Sequence, residues 1–124
     1  MGLAAGPGVS LVFISGHDTN LSNLSGMLDL SWLIPTYQAD DVPPGGALMF
    51  SVWQSNTGSH FVRLQFLAQT LDQMHNAVPL SLSNPPAIAN IFVPGCSTPE
   101  EGFPCEWRLF QQVIDAAIDP SFVK

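Results

Sequence analysis

Hydrophobic and polar positions in the first third of the chain predict a strand followed by a helix. The run Val9–Ser15 is almost wholly apolar and ends at Gly16, which is typical of a strand covered on both faces of a parallel sheet. From Asn20 to Leu30 the apolar residues recur every three or four positions. This spacing predicts an amphipathic helix, with Asp18 or Thr19 as the residue that caps its start.

The middle of the chain predicts an irregular loop and then a β-hairpin. Residues Pro35–Gly46 are rich in Pro, Gly and Asp, which excludes long regular structure there. Two strands are predicted at Ala47–Gln54 and His60–Leu67, joined by the turn Ser55–Ser59. Apolar and more polar residues alternate in the second strand, so we expect one buried face formed by Val62, Leu64 and Phe66.

The last third predicts a short helix at Thr70–Asn76, an extended segment at Ile88–Val93 and an amphipathic helix at Glu106–Ile118. The order of elements is that of an α/β or α+β protein. The chain offers no second strand–helix–strand crossover to pair with Val9–Ser15, so we expect an incomplete sheet. We therefore interpret residues 1–124 as a single partial domain.

Composition narrows the classes of partner. The 124 residues include three Lys+Arg and ten Asp+Glu, for a net charge of −7, and 46% are hydrophobic. This hydrophobic fraction excludes disorder caused by high charge and low hydrophobicity. Three cations cannot form the basic surface that binds nucleic acid or an anionic membrane. No stretch approaches the roughly 20 apolar residues of a membrane span.

The N-terminus and the cysteines bear on the compartment. Met1–Gly8 has no basic residue and the apolar run after it is short, so no signal peptide is expected in this chain. Cys96 and Cys105 flank a loop rich in Pro and Gly, which indicates a disulfide and an oxidising compartment; two unrelated buried thiols are the alternative. A zinc site is not expected, because His60 and His75 are isolated and no further ligands lie near the cysteines.

The segment Gly16–Asn20 lies where the predicted strand ends and the helix begins. Ligands of open α/β sheets bind at such ends, where unpaired N–H groups of a helix favour an anion. His17 could hydrogen-bond an anionic oxygen and Asp18 could donate a proton. From the residues alone, a capping role for Asp18 or Thr19 is the alternative. Without a G-x-S-x-G elbow, a serine hydrolase is not predicted.

The stretch Leu11–Leu21 closely resembles the C-terminal His-Asp motif of the histidine acid phosphatases, particularly the branch of bacterial phytases and periplasmic acid phosphatases. The resemblance continues at matching spacings through Leu28–Trp32, Pro43–Gly46, Trp53, Gln69–Met74, Pro79–Leu82, Gly95–Cys96 and Cys105. It implies the C-terminal part of a histidine-phosphatase (phosphoglycerate-mutase-like) α/β three-layer sandwich, with an antiparallel hairpin and an incomplete sheet.

The resemblance also implies a chemistry. Members of the family hydrolyse phosphate monoesters through a phosphohistidine, without a metal or other cofactor. By resemblance, His17 binds the phosphoryl group, Asp18 is the proton donor and Thr19 contacts the substrate. The family's cysteine pair in this region is disulfide-bonded, which matches Cys96 and Cys105. The full-length protein is then expected in the periplasm or outside the cell.

One motif of the family is absent. Its nucleophilic histidine lies in Arg-His-Gly-x-Arg-x-Pro, and no histidine of this chain follows an arginine. Arg63 and Arg108 are predicted on the polar faces of a strand and a helix, outside any phosphate clamp, and His60 and His75 are predicted at the surface. A phosphoryl-transfer transition state needs cationic stabilisation. We therefore expect the chain alone to be inactive, with its missing N-terminal half or a second copy as partner.

Three questions stay open from the sequence. A non-catalytic module that binds or self-assembles is one alternative function, because an incomplete sheet leaves an exposed edge. A metal-dependent hydrolase using His17 and Asp18 is another, disfavoured because too few ligands cluster. The substrate is either phytate or a sugar phosphate, and Thr19 favours phytate.

Overall fold

The computed structural model describes residues 11–123. Helices and strands alternate irregularly along the chain. They are α1 (Asp18–Leu28), β1 (Ala47–Gln54), β2 (His60–Ala68), α2 (Leu71–His75), β3 (Ala87–Ile91), β4 (Cys105–Glu106), α3 (Trp107–Ala117) and a final 3-10 turn (Pro120–Phe122). Within the described residues, no helix is long and apolar enough to cross a membrane.

The strands form one antiparallel sheet with β2 at its centre. β1 pairs along one side of β2, in a register that sets Ser51 opposite Arg63 and Gln54 opposite His60. On the other side, β3 pairs with the end of β2 and the two-residue β4 pairs with its beginning. Because strand residues point alternately to the two faces, β2 presents Arg63 on one face and Val62 on the other.

The core lies on one face of this sheet. Its buried side chains come from β2, from the segment after α1, from the end of β3 and from α3. They include Val62, Leu64, Phe66, Leu30, Trp32, Ile34, Ile91, Val93 and Phe110. Trp32 stacks on Phe66, with ring centroids 4.5 Å apart and planes 8° from parallel. Stacked aromatic pairs of this kind contribute about 0.5 to 1.5 kcal/mol beyond the burial of their area.

The loop before β1 is fixed by polar contacts at its edge and by close packing at its end. Asp40 Oδ1 accepts a hydrogen bond from the backbone N–H of Trp32, and the Trp32 indole N–H donates to the carbonyl of Asp41, at 2.8 and 2.9 Å. A Cβ on Gly46 would lie 2.8 Å from the ring of Phe66. Only glycine therefore allows the backbone to pass over the core at this point.

The predicted disulfide is present. It joins Cys96 and Cys105, whose Cα atoms are 5.2 Å apart, and both cysteines are buried. It connects the loop after β3 to β4, and β4 leads directly into α3. The disulfide therefore fixes the position of α3 relative to the sheet.

Most predicted elements are confirmed. The hairpin strands, the short helix and the C-terminal helix lie within one or two residues of the predicted bounds, and Val62, Leu64 and Phe66 form the buried face of β2. The helix predicted over Asn20–Leu30 begins at Asp18 and ends at Leu28.

The prediction of a buried strand at Val9–Ser15 is wrong for its described part. Residues 11–15 belong to no strand and are exposed: Leu11 by 82%, Phe13 by 84% and Ile14 by 69%. Residues 9 and 10 lie outside the described range. A strand needs a neighbour to satisfy its backbone, and none of the described strands lies beside this segment. We call residues Leu11–Ile14 the exposed apolar run.

Candidate active site

The predicted site residues lie together at the start of α1. We call Gly16–Asn20 the His-Asp corner. His17 has an extended backbone, with φ −116° and ψ 167°, and is the N-cap of the helix. Asp18 and Thr19 are the first two helical residues, and all of these side chains are exposed. The capping position is therefore occupied by His17 and not, as the sequence predicted, by Asp18 or Thr19.

Asn20 holds the backbone of the corner. Its side-chain oxygen accepts a hydrogen bond from the backbone N–H of His17 at 2.8 Å. A Cβ on Gly16 would lie 3.0 Å from that same oxygen, so the small residue leaves room for the Asn20 carboxamide to fold back. A role for Asn20 was not predicted from the sequence. Its signal is its position three residues after the N-cap, where a polar side chain closes a capping box.

The Asp18 carboxylate accepts hydrogen bonds from Thr19 in the first turn of the helix. Its Oδ1 accepts from the backbone N–H of Thr19 at 2.7 Å and from the Thr19 hydroxyl at 3.3 Å. The N-terminus of an 11-residue helix carries a partial positive charge, so a carboxylate or a bound anion is stabilised there. In this arrangement Asp18 itself occupies part of the position that an anion would take.

The corner offers two kinds of chemistry. The His17 imidazole can donate a hydrogen bond to an oxyanion, and the Asp18 carboxyl can donate a proton to an oxygen. Both side chains are open to a ligand approaching from solvent. Among residues 11–123, no group of three or more His, Cys, Asp or Glu side chains is arranged to hold a metal ion.

The other two histidines and the two arginines lie on other elements. His60 begins β2 and His75 ends α2, and both are exposed, as predicted. Arg108 is exposed on α3. Arg63 lies on the polar face of β2, also as predicted, but it is partly buried with its guanidinium 5.1 Å from the centre of the Trp53 ring. The pairing of Arg63 with Trp53 was not predicted, although the predicted turn length already fixes the register that brings β1 and β2 residues together.

Comparison with known proteins identifies similarity to phytases and glucose-1-phosphatases. The family model described as "Histidine phosphatase superfamily (branch 2)" matches residues 4–66, which is half of the chain and includes the whole His-Asp corner. "Phytase AppA" of Escherichia coli strain K12 is 39% identical over 113 residues, covering 90% of this chain. A "Glucose-1-phosphatase" of Providencia rettgeri is 30% identical over 115 residues, covering 92%.

Solved structures agree on the fold. A phytase of Hafnia alvei in complex with myo-inositol hexakis sulphate superposes with a TM-score of 0.80 and 37% identity over 88% of this chain. The phytase of Citrobacter braakii superposes with a TM-score of 0.81 and 40% identity over 90%. The predicted histidine-phosphatase fold is thereby confirmed.

The chain spans about a quarter of the length of these relatives. It covers 26% of the Escherichia coli protein, 27% of the Providencia rettgeri protein and 28% of the Citrobacter braakii structure. The similarity therefore extends over nearly all of this chain but over a minor part of each relative.

Proposed function

This chain belongs to branch 2 of the histidine phosphatase superfamily, and on that premise we propose that it is the C-terminal segment of an acid phosphomonoesterase. Residues 1–124 are one part of the catalytic domain. The observation that carries the proposal is the exposed His-Asp corner at the start of α1, inside the range that the family model matches.

His17 binds the phosphoryl group that is transferred. Its side chain is exposed at a helix N-terminus, where an oxyanion is favoured by both the imidazole N–H and the helix dipole. The hydrogen bond from the His17 backbone to Asn20 fixes the direction in which the imidazole leaves the chain. We expect this positioning to matter more when charge develops on the phosphoryl oxygens than in the ground state.

Asp18 is the proton donor. As the phosphorus–oxygen ester bond breaks, the bonding electrons move to the leaving oxygen, which takes the proton of the Asp18 carboxyl. The carboxyl must be protonated at that moment, so acid pH favours the step. It must also leave the backbone N–H of Thr19, to which it is bonded in this structure, and turn towards the ester.

The nucleophile comes from another segment. In the family chemistry that the resemblance implies, a histidine attacks phosphorus and forms a phosphohistidine, which water then hydrolyses to inorganic phosphate. No histidine of this chain follows an arginine, and neither Arg63 nor Arg108 lies on the element that carries the His-Asp corner. The chain therefore supplies the proton donor and one phosphate ligand, and the cationic clamp is supplied by the remaining part of the enzyme or by a partner chain.

The substrate is a phosphate monoester. The relatives include phytases and glucose-1-phosphatases, so both phytate and sugar phosphates are candidates. Thr19, directly after the His-Asp pair, favours phytate. Its hydroxyl already lies beside Asp18, at the distance of a hydrogen bond, so it can contact a substrate bound there.

The compartment is oxidising. The Cys96–Cys105 disulfide is buried in the core and connects the loop after β3 to β4. Structural disulfides of this kind persist in the periplasm or outside the cell and are rare in the cytosol. We therefore propose that the full-length protein is periplasmic or secreted.

Activity of the isolated chain is the first test. The chain is assayed with p-nitrophenyl phosphate at acid pH beside its Asp18→Asn variant. The proposal predicts that neither releases p-nitrophenol faster than buffer, because neither contains the nucleophile. Turnover well above buffer that disappears in the Asp18→Asn variant would mean that this chain holds a complete site.

A second candidate function is supported by the exposed apolar run. Three of its four side chains are more than two-thirds exposed, and such a segment favours association with a second copy of the chain. In that case the chain is a self-assembling module derived from the phosphatase fold. Sedimentation equilibrium separates the two candidates: the phosphatase-segment proposal predicts no discrete dimer, and a saturable monomer–dimer equilibrium favours the module.

A further inference from the structure

A polar concavity lies on the sheet face opposite the core. Its volume is about 170 Å³, which is sufficient for a tetrahedral oxyanion, and its walls include Trp53, Arg63, Asn90, Glu101 and Gly102. β1, β2 and β3 all contribute to it, together with the loop closed by the disulfide. Antiparallel sheets commonly keep one polar face in water, and the alternation along β2 has this form.

Arg63 is the unusual residue of the concavity. Its Nε is buried and has no hydrogen-bond partner among the residues that the structure describes. The guanidinium lies over the Trp53 ring, which satisfies its flat face but none of its N–H groups. A buried donor without an acceptor is destabilising, so such groups are normally paired with protein, water or ligand.

Gly102 packs closely against this donor. Its φ of +76° favours glycine, and the place that a Cβ would occupy is 3.2 Å from Arg63 Nε and 3.3 Å from Arg63 Cδ. A side chain at this position would crowd the guanidinium, so glycine allows the loop to pack closely over Nε. The terminal N–H groups of Arg63, which make no hydrogen bond among the described residues, are therefore the donors that an acceptor in the concavity would meet.

Asn90 adds a second donor. Its side-chain oxygen accepts a hydrogen bond from Gln65 Nε2 at 2.8 Å, so its amide nitrogen remains as a donor at the edge of the concavity. Glu101 acts against anion binding. It is an exposed carboxylate on the same wall, and by rotating it could itself become the acceptor for Arg63.

We propose that the concavity around Arg63, Asn90 and Gly102 binds a phosphate-class oxyanion, either free or as the phosphate of an ester. The guanidinium supplies the charge and the directed N–H groups, since arginine suits tetrahedral oxyanions better than lysine does. The site is on the opposite face of the sheet from the core, and it does not depend on the function proposed for the His-Asp corner.

The test is an NMR titration of the arginine Nε–H signals with inorganic phosphate at constant ionic strength. The chain has only two arginines, so Arg108, exposed on α3, is the internal control. The proposal predicts a saturable shift of the Arg63 signal and only a gradual drift of the Arg108 signal. A parallel titration with phenyl phosphate distinguishes a site for the free ion from one that also accepts an ester.

Variants decide which group pairs with Arg63. Removing the carboxylate in Glu101→Gln is expected to tighten phosphate binding about two- to five-fold, the usual range for one exposed charge. Arg63→Gln and Arg63→Lys are expected to abolish or weaken the saturable shift of the Gly102 amide, whereas the charge-matched Arg108→Gln retains it. The proposal is overturned if the Arg63 and Arg108 signals drift alike. It is also overturned by a second pair of results: Glu101→Gln shifts the Arg63 signal in phosphate-free buffer, and titration with phosphate gives no saturable shift. Glu101 would then be the group that pairs with Arg63.

Discussion

The burial of Phe13 distinguishes two cases: the exposed apolar run either stays at the surface of the complete protein or becomes a covered strand of a larger enzyme. Phe13 lies in the exposed apolar run and is 84% exposed in this chain. The perturbation is Phe13→Ala, made in two hosts. One host is the isolated chain. The other is a chimera in which the chain replaces the matched segment of the Escherichia coli phytase.

The expected magnitudes differ because the two hosts bury different areas. Full burial of a phenylalanine side chain contributes about 1.5 to 3 kcal/mol. Only about a sixth of Phe13 is buried here, so Phe13→Ala should change the free energy of unfolding of the isolated chain by no more than about 0.5 kcal/mol. If the run becomes a covered strand in the chimera, the same change should cost about 3 to 5 kcal/mol, through lost transfer free energy and a new cavity.

The assay is urea denaturation of both hosts, followed by tryptophan fluorescence. Leu109→Ala is the matched control, because Leu109 is 43% exposed on the outer side of α3 and should give similar small changes in both hosts. Equal effects of Phe13→Ala in the isolated chain and in the chimera would refute the reasoning. They would mean that the apolar run stays at the surface of the complete protein.

Three further predictions concern the stability of the chain itself. Reducing the Cys96–Cys105 disulfide opens a loop whose cysteines are nine positions apart, so the free energy of unfolding should fall by about 2.7 kcal/mol. The urea midpoint of unfolding should then fall by about 1 to 3 M. An unchanged midpoint would contradict this prediction. Gly46→Ala should lower the free energy of unfolding, measured by urea denaturation, by about 1 to 3 kcal/mol, because the new Cβ meets a core ring. Gly26→Ala, in open space on α1, should raise the free energy of unfolding by up to about 1 kcal/mol. A more stable Gly46→Ala variant and a less stable Gly26→Ala variant would contradict both predictions. Hydrogen bonds from Ser121 lower the pKa of Asp119. The last turn is therefore stabilised at pH values above the ordinary aspartate pKa, and it loses this contribution as the pH falls through the lowered pKa. An NMR titration should give a low midpoint for the Asp119 carboxyl, and an ordinary midpoint would contradict the contact.

The sequence predicted what local spacing determines. The five-residue turn between β1 and β2 fixes the hairpin register, and the alternation along β2 fixes which face is buried. The three- and four-residue spacing of α3 likewise predicts its apolar face, on which Phe110 is buried. These features need only neighbouring residues, so a single sequence is sufficient for them.

The structure of the exposed apolar run could not be predicted from its own residues, because its apolar pattern forms a strand only where other elements cover it. Its composition is that of a covered strand, and the described residues contain no partner to cover it. The His-Asp corner was located because its residues are contiguous. The close approach of Gly102 to Arg63 was not predicted, because it depends on how a disulfide-closed loop lies against the sheet.

The most direct test of the central claim measures acid phosphatase activity of the same chimera with p-nitrophenyl phosphate. We predict that Asp18→Asn lowers kcat by at least about 100-fold, the loss typical of a general acid. Asp115→Asn, a matched change of an exposed aspartate on α3, should leave kcat unchanged. A chimera whose Asp18→Asn variant keeps kcat within a few-fold of its parent would contradict the assignment of Asp18 as proton donor.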